Sequence, residues 1–373
     1  MEKIYTNGHI FSEQGFFLGG FGIENGRFTR IFAGHEDGED LKGAYVLPGL
    51  VDIHIHGAMG ADFSDGDAEG LVRMGQYLAG EGVTSFVPTS MTLPYEVLEQ
   101  ACTTAKEVKR AQPALCANIA GVRLEGPFFS EKKRGAQNPA YLKNPDFAAF
   151  QRLREASGGL VRIVDAAAEL PGAVDFAKKA SQEAVVSLGH TDCTYEQACA
   201  FMEAGAGHLT HLFNAMPGIH HRTPGPIAAG SQRERVTAEI IGDGRHVHPA
   251  VIGLAYKLFP NRLCLISDGL RCMGMPEGAY TLGGQKIFLK DGLARLEDGT
   301  IAGSAASLYT CLQRVLSFGI DPLQVIASAT VLPARVLRME KEIGSIRPGA
   351  RADFLLCGED FRKQRVFLAG EAL

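Results

Sequence analysis

Hydrophobic and polar positions follow two different patterns along this chain. Residues 1–48 lack helical periodicity; short β-prone runs (KIYTNGHIF, FFLGGFGIE, RFTRIFAG) are separated by glycine turns such as Glu24-Asn25-Gly26. They predict a small antiparallel sheet. The closing residues read alike, IGSIRPGARADFLLC and FRKQRVFLAGEAL being strand-like around a Pro348-Gly349 turn. Strands at both ends of a different middle predict a small β-sandwich domain built from residues 1–48 and 339–373.

Residues 49–338 alternate strand-like and amphipathic segments. VDIHIHG precedes a helical stretch from Ala68 to Ala79, and TSFVPTS precedes a helix from about Pro94 to Arg110. ANIAGVRLEGPF, LVRIVDAAAE, AVVSLGH, HLTHLFNAM, VTAEIIGDG and RLCLISDG continue the series, with helical segments such as PDFAAFQRLREAS, TYEQACAFMEAG and Pro249–Leu258 between them. About eight such units predict a parallel (β/α)₈ barrel. AYTLGGQKIFLKDGLARLEDGT alternates like an inserted β-hairpin.

Composition narrows this picture. A length of 373 residues suits two domains or one large α/β barrel with an appendage. With 46% hydrophobic and 21% charged residues, disorder is excluded. A net charge of −5 offers no footprint for nucleic acid. The first residues lack a basic region followed by an apolar one, and no run reaches the ~20 apolar residues of a membrane helix. Eight cysteines without a C-x-x-C pair read as reduced thiols, which predicts a cytoplasmic protein.

The histidines carry the chemistry. In a barrel of this kind the active site lies at the C-terminal strand ends. The apolar runs here end in His54-Ile55-His56, in Glu125, in His190, in His211 and in Asp268. His54 and His56 are two apart on a strand, so both imidazoles face one side and can reach one cation. Glu125 is placed to bridge two cations, and with His190 and His211 it leaves open positions for water, as catalytic metal sites do. Asp268 is a carboxylate suited to shuttling a proton.

PGLVDIHIHG, LEGPFF…KRGAQNP, SLGHT, HLTHLFNAMPG, GDGRHVHP, LISDG and IAGS follow in order. In these motifs the chain resembles the amidohydrolase superfamily and, within it, the N-acetylglucosamine-6-phosphate deacetylases. The resemblance implies a TIM-like metal-dependent hydrolase that binds one or two divalent metals, zinc first, with iron, manganese or cobalt as alternatives. Glu125, His190 and His211 match the principal metal ligands, His54 and His56 the second-metal pair, and Asp268 the catalytic acid/base. Asn214 and Ala215 match sugar contacts, and Ile301, Ala302 and Gly303 a substrate-lining segment. Arg222 and His246 match phosphate contacts, His246 reaching a neighbouring subunit's site in some relatives, so a homodimer is expected. Gln137 stands where the family usually has a histidine beside the acetyl carbonyl; its amide can donate but cannot carry a proton charge.

The implied reaction is deacetylation of N-acetylglucosamine 6-phosphate, with a galactosamine epimer as alternative substrate. No strand-end lysine stands out for the carbamylated bridge of cyclic amidases, and a non-catalytic scaffold would have lost ligands that are all present. His220 and His221 read as loop residues; His9, His35, His208 and His248 read as structural or exposed.

Overall fold

The computed structural model describes residues 1–373. Eight parallel strands follow in chain order around a barrel: Leu50–Ile55, Val83–Pro88, Val122–Leu124, Val161–Ala166, Val185–Leu188, His208–Leu209, Thr237–Ile241 and Leu263–Ile266. Most of their residues are buried, as expected for a parallel sheet covered on its outside by helices.

Two seams close the barrel. At the first, Asn118–Ile119 pairs with Val83–Pro88, the chain turns, and Val122–Leu124 pairs with Val161–Ala166 while Thr89 bridges Arg123. At the second, Ile55 bridges Gly269. There the Asp268 N–H donates to the His54 carbonyl at 3.0 Å, and the His56 N–H donates to the Gly269 carbonyl at 2.8 Å. This seam is what sets Asp268 beside His54 and His56.

The covering helices begin where short polar side chains satisfy free N–H groups. Asp67 accepts from Glu69 and Gly70 at the start of Ala68–Gly80, and Asp146 accepts from Ala148 and Ala149 at the start of Phe147–Ala156. Thr194 and Gln197 cap each other at Tyr195–Glu203. Leu71, Met74 and Leu78, at helical spacing, bury the inner face of the first helix against the barrel.

The terminal strands make one sheet of eight. It is not purely antiparallel: Lys3–Ser12 pairs in parallel with Glu39–Asp40 and with Tyr45–Pro48. Three strands separate Phe28 from Phe354 in hydrogen-bond order, a span of roughly 19 Å in a flat sheet. Their ring centroids are nonetheless 6.1 Å apart, so the sheet curls around a core of Tyr5, Phe21, Phe28, Phe354 and Phe367.

The insertion is larger than a hairpin. Gly278–Leu282, Gln285–Lys290, Leu293–Leu296 and Ile301–Ser304 form a four-stranded antiparallel sheet. Its last strand returns to the barrel, where the Ser304 N–H donates to the Asp268 carbonyl at 2.9 Å. At four residues, and preceded by the polar run Glu297-Asp298-Gly299-Thr300, this strand is too short to show a hydrophobic period. All eight cysteines are free, and no helix is long and apolar enough to cross a membrane.

Candidate active site

At the C-terminal ends of the strands, four histidines converge on one carboxylate, and Asp268 lies against two of them. Glu125 Oε1 lies 3.1 Å from His54 Nε2, 3.3 Å from His190 Nε2 and 3.1 Å from His211 Nε2. Its Oε2 lies 3.2 Å from His56 Nε2. Asp268 Oδ1 is 3.4 Å from His54 Nε2 and 3.3 Å from His56 Nε2. All six groups are buried.

The second nitrogen of each ring determines what these contacts mean. His54 Nδ1 donates to Glu239 at 3.1 Å, His56 Nδ1 to the Thr89 carbonyl at 3.1 Å, and His190 Nδ1 to the Lys133 carbonyl at 3.0 Å. A neutral imidazole that donates through Nδ1 presents a bare lone pair at Nε2. Three such lone pairs therefore face the acceptor oxygens of Glu125, an arrangement that repels unless a positive charge lies between them. The donor set fits a divalent cation, and it divides into two groups sharing Glu125: His54 with His56, and His190 with His211.

The same excess of acceptors governs protonation in the metal-free protein. Burial and the Arg123 cation oppose charge on His54, yet Glu125 and Asp268 outweigh them and push it up to about 9. Burial raises the carboxyls of Glu125 and Asp268, but the surrounding histidines, His54 foremost, hold both below the usual carboxylate range. Asp268 is thus an anion at neutral pH.

His190, His211 and Asp268 have φ of 47°, 21° and 49°. Left-handed backbone at non-glycine residues costs about 1–3 kcal/mol each and clusters where function requires it. Gly303, beside Asp268, has φ 154°, and a Cβ there would meet Leu270 and the Asp268 carbonyl.

A cavity of about 410 Å³ opens above these groups. Gln137, Asn214, Ala215, His246, Ile301, Ala302 and Gly303 line it, together with Lys132, Lys133 and Phe213, which the sequence had not singled out. Asn214 directs its amide nitrogen to the His211 and Leu212 carbonyls. His246 Nδ1 donates to Asp243 at 2.6 Å, leaving a buried Nε2 without a partner at the cavity. Arg222 is exposed in its loop and does not line this cavity, where the sequence had led us to expect a phosphate contact; its backbone N–H is turned toward His220.

Beneath the ligands lies a charged layer that hydrophobic patterning passed over. Arg123 donates to Asp165 through Nε and Nη2, each at 2.9 Å, to Thr210 at 3.1 Å, and to Glu239. His208 Nε2 donates to Glu239 at 2.9 Å. None of Arg123, Asp165, His208 and Glu239 is exposed to solvent. Burial opposes the charge on Glu239, but Arg123 and His208 hold it well below its ordinary range. His208, read from the sequence as structural or exposed, is therefore buried and structural, and Glu239 orients His54. The available signal was a charge inside each otherwise apolar strand: GVRLE, RIVDA, TAEII.

The amidohydrolase family model matches residues 45–373. The chain belongs to the amidohydrolase family. Among amidohydrolases it is 34% identical over 329 residues to the N-acetylgalactosamine-6-phosphate deacetylase of Escherichia coli O157:H7, covering 87% of each chain. It is 35% identical over 320 residues to the N-acetylglucosamine-6-phosphate deacetylase of Bacillus subtilis strain 168, covering 84% of this chain and 81% of that one. The structure of an aspartate-to-alanine variant of N-acetyl-D-glucosamine-6-phosphate deacetylase from Mycobacterium smegmatis, in complex with N-acetyl-D-glucosamine 6-phosphate, superposes with a TM-score of 0.93. That alignment has 32% identity and covers 100% of this chain and 99% of that one.

Proposed function

We propose that this amidohydrolase removes the N-acetyl group of N-acetyl-D-glucosamine 6-phosphate, giving D-glucosamine 6-phosphate and acetate. The observation that carries the reading is the position of Asp268: an ionised carboxylate 3.3–3.4 Å from two ligand histidines, beside Glu125. Residues 49–338 are the catalytic unit in this account.

Glu125, His190 and His211 would hold one divalent metal, and His54 and His56 with Glu125 a second. These nitrogen and oxygen donors suit zinc first, and also iron, manganese or cobalt. When bound, such a metal supplies Lewis-acid activation of water and of the amide carbonyl. Asp268 takes the proton of the attacking water as its oxygen bonds to the acetyl carbon. It then returns that proton to the sugar nitrogen as the C–N bond breaks, so that acetate and a free amine leave. In this reading His246 Nε2 meets the phosphate; the Asp243 bond that fixes its ring and the positive charge of Lys132 and Lys133 in the same cavity support that role. Asn214, Ala215 and the segment Ile301–Gly303 line the space left for the sugar.

A second reading, N-acetylgalactosamine 6-phosphate, is favoured by the Escherichia coli relative, whose 34% identity equals that of the N-acetylglucosamine-6-phosphate deacetylase of Vibrio furnissii. The epimers differ only in the orientation of one hydroxyl, so kcat/KM on both separates the readings. Higher kcat/KM on the galactosamine epimer would reverse the assignment. The reading includes a cytoplasmic homodimer: free cysteines support a reducing compartment, and resemblance to the family supports the dimer. A mass measurement in solution tests the dimer.

A further inference from the structure

Gln137 occupies the position at which the chain departs from the resembled family, and both ends of its amide are engaged. Its Oε1 accepts the Thr92 N–H at 2.7 Å, and its Nε2 donates to Glu125 Oε2 at 2.7 Å. The Thr92 bond fixes which end is which, because a backbone N–H can face only the amide oxygen; the nitrogen must then face the carboxylate. The remaining Nε2 hydrogen is directed toward the Met91 sulfur at 4.0 Å. Gln137 is 3% exposed. The N–H that faces Glu125 is held by a hydrogen bond strengthened by the carboxylate's charge, and the other is turned to the Met91 side.

The two oxygens of Glu125 have unequal surroundings. Oε1 faces Nε2 of His54, His190 and His211 at 3.1–3.3 Å, whereas Oε2 faces His56 and Gln137. A bond from Gln137 to Oε2 fixes the rotation of the carboxylate about its last single bond. That rotation keeps Oε1 on the His190 and His211 side.

We propose that Gln137 is a positioning residue for Glu125, anchored through Thr92, and that it sets metal affinity without contacting the substrate. The proposal rests on the metal-site reading above and not on the identity of the sugar. Groups that orient a metal ligand from behind are typically worth about 10- to 100-fold in metal affinity.

Zinc affinity, measured by competition with a chromophoric chelator, tests this in three variants. Gln137→Leu removes both bonds, while Gln137→Glu keeps the size and the Thr92 contact but loses the N–H. Both are expected to weaken zinc binding by about 10- to 100-fold. Gln137→His, which retains an N–H donor, is expected to recover most of the affinity. At saturating zinc, KM of the Leu variant should equal that of the unaltered enzyme. Unchanged zinc affinity with a raised KM would overturn the proposal and make Gln137 a substrate contact. If the Leu variant does not fold, the isosteric Glu variant carries the same test. Failure to deacetylate any amino sugar phosphate would reject the substrate reading alone, because chelator competition needs no substrate. An unaltered protein that binds no zinc would overturn the metal-site reading and this proposal together.

Discussion

Glu239 accepts the Nδ1 hydrogen of His54 across 3.1 Å, and so turns the bare Nε2 of that ring toward Glu125 and Asp268. The same carboxylate is held from the other side by Arg123 and His208. The His54 ring is thus oriented by an ion-pair layer in the middle of the barrel.

That layer predicts a stability effect far larger than a surface ion pair would give. Arg123→Met leaves Asp165 and Glu239 buried without their cation. The expected loss is about 3–5 kcal/mol, the usual cost of breaking one side of a buried pair. Denaturant unfolding of the variant checks this, and a loss below about 1 kcal/mol, the surface-pair range, would mean that the layer is not a structural unit.

Asp268→Asn separates chemistry from metal binding. The amide cannot take a proton from water, so kcat should fall by about 100- to 10,000-fold. Metal content should remain that of the unaltered enzyme, because Glu125 and the four histidines are intact. Elemental analysis and kinetics on one preparation measure both, and near-normal turnover would exclude Asp268 as the base.

The metal-free protein should be sensitive to alkali. His54 titrates at about 9 in the folded chain against 6.5 ordinarily, so its contribution to stability is fully present below about pH 6.5 and is lost as pH rises through about 9. The melting temperature of chelator-treated protein is expected to fall across that window. The zinc-loaded protein should not follow, because a metal, not a proton, then neutralises the carboxylates. Parallel curves for the two forms would contradict the assignment of His54 to the metal site.

His246→Ala should raise KM for the phosphorylated sugar by about ten- to a hundred-fold, the worth of one charge-assisted hydrogen bond. It should leave the activity on the unphosphorylated sugar unchanged. Asp243→Asn, which loosens the His246 ring, is expected to give a smaller shift of the same sign. Equal effects on both sugars would remove the phosphate role.

The clustering of the candidate ligands was legible because sequence spacing and strand geometry agree there. His54 and His56 sit at the two-residue period of a strand, and Glu125, His190, His211 and Asp268 each terminate an apolar run. Arg123 and Glu239 were not legible. They lie 116 residues apart and meet only because their strands point into the same barrel. Singly, each reads as a stray charge in an apolar segment. Gln137 was recognised as a departure, but its bond to the Thr92 N–H, 45 residues away, belongs to tertiary structure. The fourth insertion strand, Ile301–Ser304, escaped because four residues are too few to show a period, and its pairing depends on the turn before it.

Acetate release from N-acetyl-D-glucosamine 6-phosphate, measured before chelator treatment, after it and after readdition of zinc, decides whether this site is a metal-dependent deacetylase. One acetate for each free amine formed, loss of both on chelation, and recovery with metal are expected. A protein that retains its metal yet releases no acetate from this sugar phosphate or its galactosamine epimer would contradict the deacetylase assignment.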